Sequence, residues 1–288
     1  MKKIASIFLV ILMLLPSLAF PLDQVGDPKA IPGFETETQV DTTRSVTTIT
    51  VQGTGLGLYP DEQGRPKYAY GVFGMQGSGF IVNNYIITAA HVVNPTSLVV
   101  RMPDGAQFDG PLVHVKDMTI VAGGSPARIF YINVAEDYAI LIFDTPCQWF
   151  RNLTIKTMDT WANLLTIFGF YPINKLHSGD QVFAIVRVRD ENGARTTMSE
   201  VRTGVIRAEK PVVPLGYEDS LPWFSMDDFT TDLVLYPGDS GSPIIGFEDG
   251  VPYLIGIGRA AGTDPKTGDV YSWCSRIDMV KLITDSVF

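Results

Sequence analysis

A serine lies between two glycines in the last quarter of the chain, in the stretch YPGDSGSP at residues 236–243. Each flanking glycine weakens a helix or strand, because it adds backbone freedom and offers no side chain for packing. Glycine also permits close approach of a substrate, so the N–H groups of Gly238 and Ser240 can point to one spot beside the hydroxyl. A hydroxyl with two such donors suits acyl transfer, in which the donors stabilise an oxyanion. The alternative is a Gly/Ser turn between strands.

A nucleophilic serine needs a base, and the chain contains only three histidines. His91 lies in the apolar run IITAAHVV at residues 86–93, after a strand-like segment at 77–82. Taken alone, a histidine at the end of an apolar strand is more often a satisfied core residue than a catalyst. His114 lies in an alternating stretch and is interpreted as structural. His177 precedes a Ser-Gly-Asp turn and is interpreted as solvated.

An acid that holds the imidazole tautomer is predicted at Asp137. It stands at the head of the apolar run YAILIF at residues 138–143. An aspartate that enters a buried strand is costly unless it is paired, which favours Asp137 over Glu136 and over surface acids. The chain order is then histidine, aspartate, serine. This order differs from that of α/β-hydrolases and subtilisins, and an esterase or lipase would need a histidine after the serine.

These segments together resemble the trypsin/chymotrypsin superfamily of serine peptidases. The match is closest to HtrA-type single-chain bacterial peptidases. The sequence TDLVLYPGDSG at residues 231–241 is similar to their T-D-x-x-x-x-P-G-N-S-G stretch, and GFIV at 79–82 is similar to part of their G-S-G-F-I segment. Residues 178–185 and 203–206 resemble the paired strands before the serine. The resemblance covers about residues 70–280.

The resemblance implies an all-β fold of two antiparallel six-stranded β-barrels, with a short C-terminal helix and the active site in the cleft between the barrels. Short strands separated by Gly, Pro, Asn and Asp turns are typical of such barrels. We predict the peptidase domain at residues 46–288, with a first barrel at about 46–145, a connector at about 146–177 and a second barrel at about 178–288. We expect a protease domain alone, without PDZ modules.

The N-terminus has the pattern of a secretion signal. Two lysines precede an apolar run at residues 4–15, and the small residues that follow suit cleavage after Ala19. An uncleaved anchor is the alternative, because residues 4–20 are nearly long enough to span a membrane. We predict a signal peptide at 1–19, an extended N-terminal arm at 20–45, and an exported protein, periplasmic or secreted, with no stable membrane insertion after cleavage.

The composition is 45% hydrophobic and 18% charged, which fits a globular exported domain. The formal net charge is −9, and removal of the leader with its two lysines makes it more negative. An acidic surface without a basic cluster argues against nucleic acid or anionic lipid as a partner. No metal or cofactor is expected, because no Cys/His cluster has ligand spacing and no phosphate loop follows a strand. The resemblance implies polypeptide substrates and leaves the oligomeric state open.

The resemblance also implies the catalytic roles. His91 takes the proton of Ser240, and Asp137 orients and stabilises the imidazolium. The N–H groups of Gly238 and Ser240 form the oxyanion hole. Asp239 departs from the pattern, because HtrA enzymes have asparagine there and activated trypsins have an aspartate paired with a newly cut N-terminus. No trypsin-like activation sequence precedes the first barrel, so N-terminal insertion is not expected and the sequence identifies no partner for Asp239.

The substrate pocket is predicted from the same resemblance to include Val234, Gly258 and Arg259. Val234 falls near the pocket base and is apolar, so a small or medium apolar side chain is predicted before the scissile bond. Ser242 replaces the more usual glycine, as in glutamyl endopeptidases, but their pocket histidine is absent from residues 254–260. Arg259 keeps an acidic preference as an alternative, although an arginine there is more often a solvated rim residue.

Cys147 and Cys274 are the only cysteines. Export permits a disulfide between them, and the resemblance places them where some trypsin relatives have a bridge. Two buried free thiols are the alternative.

A catalytically inactive or latent protease-fold scaffold is the alternative to an active peptidase, and the complete triad disfavours it. Labelling of the serine by an organophosphonate distinguishes the two functions.

Overall fold

The computed structural model describes residues 45–144, 177–209 and 228–276, apart from short gaps at 62, 83–84, 103–104, 192–194, 249–250 and 265–266. The predicted signal peptide, almost all of the N-terminal arm, nearly the whole connector and the C-terminal helix lie outside the described residues. Within the described ranges, no helix is long and apolar enough to cross a membrane.

Seven antiparallel strands form the first sheet: β1 (Val46–Pro60), β2 (Pro66–Val82), β3 (Tyr85–Thr88), β4 (Ser97–Arg101), β5 (Gln107–Ala122), β6 (Ser125–Asn133) and β7 (Tyr138–Phe143). Their order is β1-β2-β3-β7-β6-β5-β4, and β1 also pairs with β5. That second pairing closes six of the strands into a barrel. Strand β4 extends the sheet by pairing with β5 and, at one position, with β2. A four-residue helix, α1 (Ala90–Val93), follows β3.

Six antiparallel strands form the second barrel: β8 (Gln181–Arg189), β9 (Arg195–Ala208), β10 (Phe229–Thr231), β11 (Pro243–Glu248), β12 (Val251–Thr263) and β13 (Val270–Arg276). They close in the order β10-β13-β12-β11-β8-β9. The predicted all-β fold with two six-stranded antiparallel barrels is confirmed. Strand β4 is an addition to the first barrel.

An apolar interface joins the two barrels. Ile185, Ile245, Leu254 and Ile257 belong to the second barrel, but they pack in the same buried cluster as the first-barrel core. A strand at an interface between barrels typically has apolar residues on both faces, since one face fills its own barrel and the other packs against the second barrel. The shared cluster holds the facing ends of the barrels together, and this contact defines where residues from the two halves can meet.

Cys274 lies on β13 and is fully buried, and it forms no disulfide within the described residues. Burial raises the pKa of this thiol. Cys147 lies outside the described residues, so its pairing with Cys274 stays a prediction.

The first-barrel core gives a stability prediction at Phe80, which lies on β2 and is fully buried. Phe80→Ala should lower the free energy of unfolding by about 3–5 kcal/mol, because it removes a packed ring and leaves a cavity. The control is Phe130→Ala, since Phe130 is 41% exposed and contacts Tyr85 at a ring distance of 5.7 Å. Phe130→Ala should lower the free energy of unfolding by less than about 1.5 kcal/mol. Equal losses in urea denaturation would contradict this description of the core.

Candidate active site

His91 lies in α1, the single helical turn that follows β3. Its neighbours Ala90, Val92 and Val93 are buried and anchor the turn on the first barrel. The His91 side chain is 35% exposed. The apolar residues around His91 are therefore buried and hold the helical turn in place. The imidazole itself reaches the surface.

Asp137 occupies the turn between β6 and β7 with a φ of 53°, and no other non-glycine residue in the described ranges has a positive φ. This conformation is uncommon for a residue with a Cβ, although aspartate adopts it more readily than most. Its Oδ2 lies 2.8 Å from His91 Nδ1, and its Oδ1 accepts the His91 backbone N–H at 2.8 Å. When Nδ1 donates to this carboxylate, Nε2 is the ring atom left to accept a proton.

Ser240 lies in the segment between β10 and β11, next to Gly241, whose φ is 87°. A Cβ on Gly241 would lie 2.0 Å from the Ser78 carbonyl oxygen and 2.6 Å from Thr88 Oγ1, so only glycine fits against the first barrel. The Ser78 N–H donates to the Ser240 carbonyl at 2.7 Å. Backbone contact with β2 therefore brings the serine of the second barrel to the barrel that carries His91 and Asp137.

The Ser240 hydroxyl donates to the Arg259 carbonyl at 3.0 Å. It makes no hydrogen bond with His91, and both residues lie in the described ranges. The N–H groups of Gly238 and Ser240 have no hydrogen-bond partner in the part of the chain that the structure describes, whereas the intervening Asp239 N–H donates to the Tyr236 carbonyl at 2.8 Å. An oxyanion hole requires two N–H groups beside the serine that are available to donate hydrogen bonds.

Asp239 is fully buried, and two arginines of β9 hold its carboxylate. Arg195 Nη2 lies 2.5 Å from Oδ1, and Arg202 Nη1 lies 2.7 Å from Oδ2. The Tyr236 N–H also donates to Oδ2, at 2.8 Å. Burial lowers the pKa of the Arg195 guanidinium, and the adjacent Asp239 opposes that shift. The partner of Asp239 that the sequence did not identify is thus a pair of internal arginines.

Arg195 also connects this ion pair to the backbone of Gly238. Its Nη1 donates to Ser78 Oγ at 2.8 Å, and Ser78 Oγ donates to the Gly238 carbonyl at 3.1 Å. Gly238 has a φ of 90°, and a Cβ there would lie 2.9 Å from Arg195 Nη2. The contacts from Arg195 through Ser78 therefore hold the Gly238 carbonyl, on the same residue as the N–H that is predicted to face the substrate.

The sequence profile of the trypsin-like peptidase domain family matches residues 77–257, a segment that includes His91, Asp137 and Ser240. The chain belongs to the trypsin-like peptidase family.

A solved structure described as "HtrA-type protease AlgW with decapeptide" is also similar to this trypsin-like peptidase. The two share 18% sequence identity with a TM-score of 0.46, and the match covers 87% of this chain. It covers 66% of that chain, so the peptidase spans just under two thirds of its length. The recognition of a trypsin-like peptidase from the sequence is confirmed by the family match.

Two of the three predicted pocket residues flank the serine segment. Val234 is 37% exposed, and its carbonyl accepts a hydrogen bond from Arg202 Nη1 at 2.7 Å. Gly258 is buried on β12, where its N–H donates to the Ser242 carbonyl at 2.9 Å and its carbonyl accepts the Gly241 N–H at 2.7 Å. Gly258 therefore supports the backbone that carries Ser240.

Arg259 corrects an interpretation made from the sequence. It is not a solvated rim residue, because it is only 8% exposed. Its Nε lies 3.2 Å from Asp137 Oδ2, and its Nη1 lies 2.5 Å from Asp228 Oδ2. The rim interpretation was wrong because two carboxylates lie within reach of the guanidinium and permit its burial. Because the guanidinium is paired with these two carboxylates, a preference of the pocket for acidic substrates is disfavoured.

The two remaining histidines are exposed. His177 is 67% exposed and lies 3.6 Å from Glu209, in agreement with a solvated residue. His114 is exposed on β5, where it pairs with Leu56 of β1.

Sequence reasoning missed Arg195, Arg202, Ser78 and Asp228. The need for a cation beside Asp239 was predictable, because a buried carboxylate requires a partner. The identity of that partner was not, since Arg195 lies 44 residues away in the chain and only the barrel brings it near.

The ion pair at Asp239 gives a stability prediction. Arg195→Met should lower the free energy of unfolding by about 3–5 kcal/mol and reduce kcat, because it leaves a buried carboxylate with less compensation. The matched control is Arg207→Met on the same strand, since Arg207 is 55% exposed and pairs with Asp232 at 2.9 Å. Arg207→Met should lower the free energy of unfolding by at most about 1 kcal/mol. Urea denaturation measures both, and similar small losses would contradict a structural role for Arg195.

Proposed function

We propose that this trypsin-like peptidase is an exported serine endopeptidase that hydrolyses peptide bonds through a Ser-His-Asp triad and an acyl-enzyme. The observation that carries the proposal is the hydrogen bond of 2.8 Å between His91 Nδ1 and Asp137 Oδ2, on the barrel that contacts the Ser240 segment. The family match supports the same chemistry.

The reaction begins when the Ser240 hydroxyl leaves the Arg259 carbonyl and passes its proton to His91 Nε2 as Oγ attacks the peptide carbonyl. The Asp137 carboxylate stabilises the imidazolium that forms. The N–H groups of Gly238 and Ser240 stabilise the oxyanion, and loss of one such donor typically lowers turnover by about 100 to 1000-fold. His91 then gives the proton to the leaving amine, and water hydrolyses the acyl-enzyme by the same steps.

We propose polypeptide substrates with a small or medium apolar side chain before the scissile bond. Val234 supports this preference because it is apolar and partly exposed. The Arg259 guanidinium supports it as well, since that charge is engaged by two carboxylates of the protein.

Replacement of the nucleophile tests the proposed function. Mature protein from Phe20 onward should cleave casein and react with a fluorophosphonate, and Ser240→Ala should lose both activities, because no other hydroxyl occupies the position of the nucleophile. Mass spectrometry of the products then maps the residue before each cleaved bond. Unchanged cleavage in Ser240→Ala would contradict the proposed mechanism.

A latent or inactive scaffold is the second candidate. The hydrogen bond of the Ser240 hydroxyl to Arg259 rather than His91 favours it, because this orientation is not the reactive one. A folded wild type that neither cleaves casein nor reacts with the fluorophosphonate would support the scaffold.

The proposed export has its own prediction. When the full chain is expressed in a bacterial host, the periplasm or medium should contain a protein that begins at Phe20, because small residues precede that bond. In Ala19→Phe the bulky side chain should block cleavage and leave the full-length chain with the membrane. N-terminal mass spectrometry of each fraction measures this, and a wild type retained with residues 1–19 would support a signal anchor instead.

A further inference from the structure

One buried guanidinium connects the triad acid to the second barrel. Arg259 lies on β12, and its side chain is 7% exposed. Its Nε lies 3.2 Å from Asp137 Oδ2 in the first barrel, and its Nη1 lies 2.5 Å from Asp228 Oδ2, just before β10 in the second. The arginine therefore bridges two carboxylates from different barrels.

We propose that Arg259 is a positioning residue of the catalytic triad, which holds the Asp137 carboxylate in the orientation that receives the His91 imidazole. This inference rests on the proposed peptidase function. Arg259 acts through Asp137 and makes no contact with the reacting atoms by its side chain.

The contacts of the Asp137 carboxylate explain why a second group that holds it matters. Oδ1 accepts the His91 backbone N–H at 2.8 Å, and Oδ2 is shared between His91 Nδ1 at 2.8 Å and Arg259 Nε at 3.2 Å. Of these contacts, only the ion pair with Arg259 is independent of His91. Asp137 also lies in a left-handed backbone conformation, which persists where surrounding contacts enforce it. Arg259 supplies such a contact.

The backbone of Arg259 strengthens the argument. Its carbonyl accepts the Ser240 hydroxyl at 3.0 Å, and the preceding Gly258 is hydrogen-bonded to Gly241 and Ser242. One residue thus contacts the triad acid with its side chain and the nucleophile with its main chain. Asp137 and Ser240 come from different barrels, and the distance between them therefore depends on the position of Arg259.

Recognition of acidic substrates is the competing role for Arg259. A substrate carboxylate would have to compete with Asp137 and Asp228, and a side chain that is 7% exposed offers little access. The two roles make different predictions about kcat and substrate preference.

The test compares Arg259→Gln with wild type on peptides that carry alanine, valine or glutamate before the scissile bond. We expect kcat to fall by about 100-fold on all peptides, with KM little changed, because a misplaced triad slows the reaction without changing the binding contacts. Arg259→Lys keeps the charge and should restore part of kcat. Arg276→Gln is the matched control, since Arg276 is also 8% exposed in the second barrel and donates to the Glu209 carbonyl. Its kcat should equal that of wild type.

A loss confined to the glutamate peptide would overturn the proposal and assign Arg259 to specificity. An unchanged kcat in Arg259→Gln would overturn it too. If that variant does not fold, the double variant Asp228→Asn/Arg259→Gln removes both members of the outer ion pair and should fold yet remain slow. Full recovery of kcat in the double variant would show that Arg259 only neutralises Asp228, which contradicts the positioning role.

An NMR measurement tests the role of Arg259 independently of peptidase activity. In wild type, the proton of the His91 Nδ1–H···Asp137 hydrogen bond should give a low-field NMR resonance, which His91→Gln identifies by its loss. Arg259→Gln should shift or broaden that resonance, and an unchanged resonance would overturn the positioning role. Absence of Ser240-dependent cleavage in wild type would instead contradict the peptidase function, and the resonance would still decide the role of Arg259.

Discussion

The active-site region depends on the pairing of buried carboxylates with arginines. Asp137 and Asp239 are 4% and 0% exposed, so neither has water to stabilise its charge. A buried ion is tolerated only when opposite charge and hydrogen bonds replace its hydration. Each aspartate has an arginine of the second barrel, Arg259 for the first and Arg195, together with Arg202, for the second. The proposed triad acid and the segment of the proposed oxyanion hole are therefore held by charges within the folded chain.

The barrels supply the frame in which these pairs can form. The apolar cluster shared by Ile185, Ile257 and the first-barrel core holds the two halves together. Gly241 then allows the serine segment to approach the backbone of β2, where the Ser78 N–H binds the Ser240 carbonyl. Activated trypsins use a newly cut N-terminus as the counter-charge of the aspartate beside the nucleophile. Here Arg195 and Arg202 provide it from β9, and the aspartate has its counter-charges without that insertion.

Much of this could be predicted from the sequence, and the reasons are local. The glycines around Ser240, the acid at the head of β7 and the short strands between turn residues are signals that occupy a few neighbouring positions each. The arginine partners are different, because their pairs join residues that are distant in the chain and depend on barrel closure. Arg259 was predicted in the substrate pocket, with a solvated rim position as the usual alternative for a long cationic side chain. Its burial was not predicted, because the sequence did not show the carboxylates that surround it. The orientation of the Ser240 hydroxyl is a rotamer, which residue types do not encode.

The most direct test of a triad assembled across the two barrels is a crystal structure of the mature protein after reaction with a fluorophosphonate. The account predicts a bond from phosphorus to Ser240 Oγ, the hydroxyl's hydrogen bond to the Arg259 carbonyl broken, and a phosphonyl oxygen about 2.7–3.1 Å from the N–H groups of Gly238 and Ser240. His91 should remain paired with Asp137, and Arg259 should still bridge Asp137 and Asp228. A phosphonyl group on another residue, or a phosphonyl oxygen directed away from both N–H groups, would contradict it.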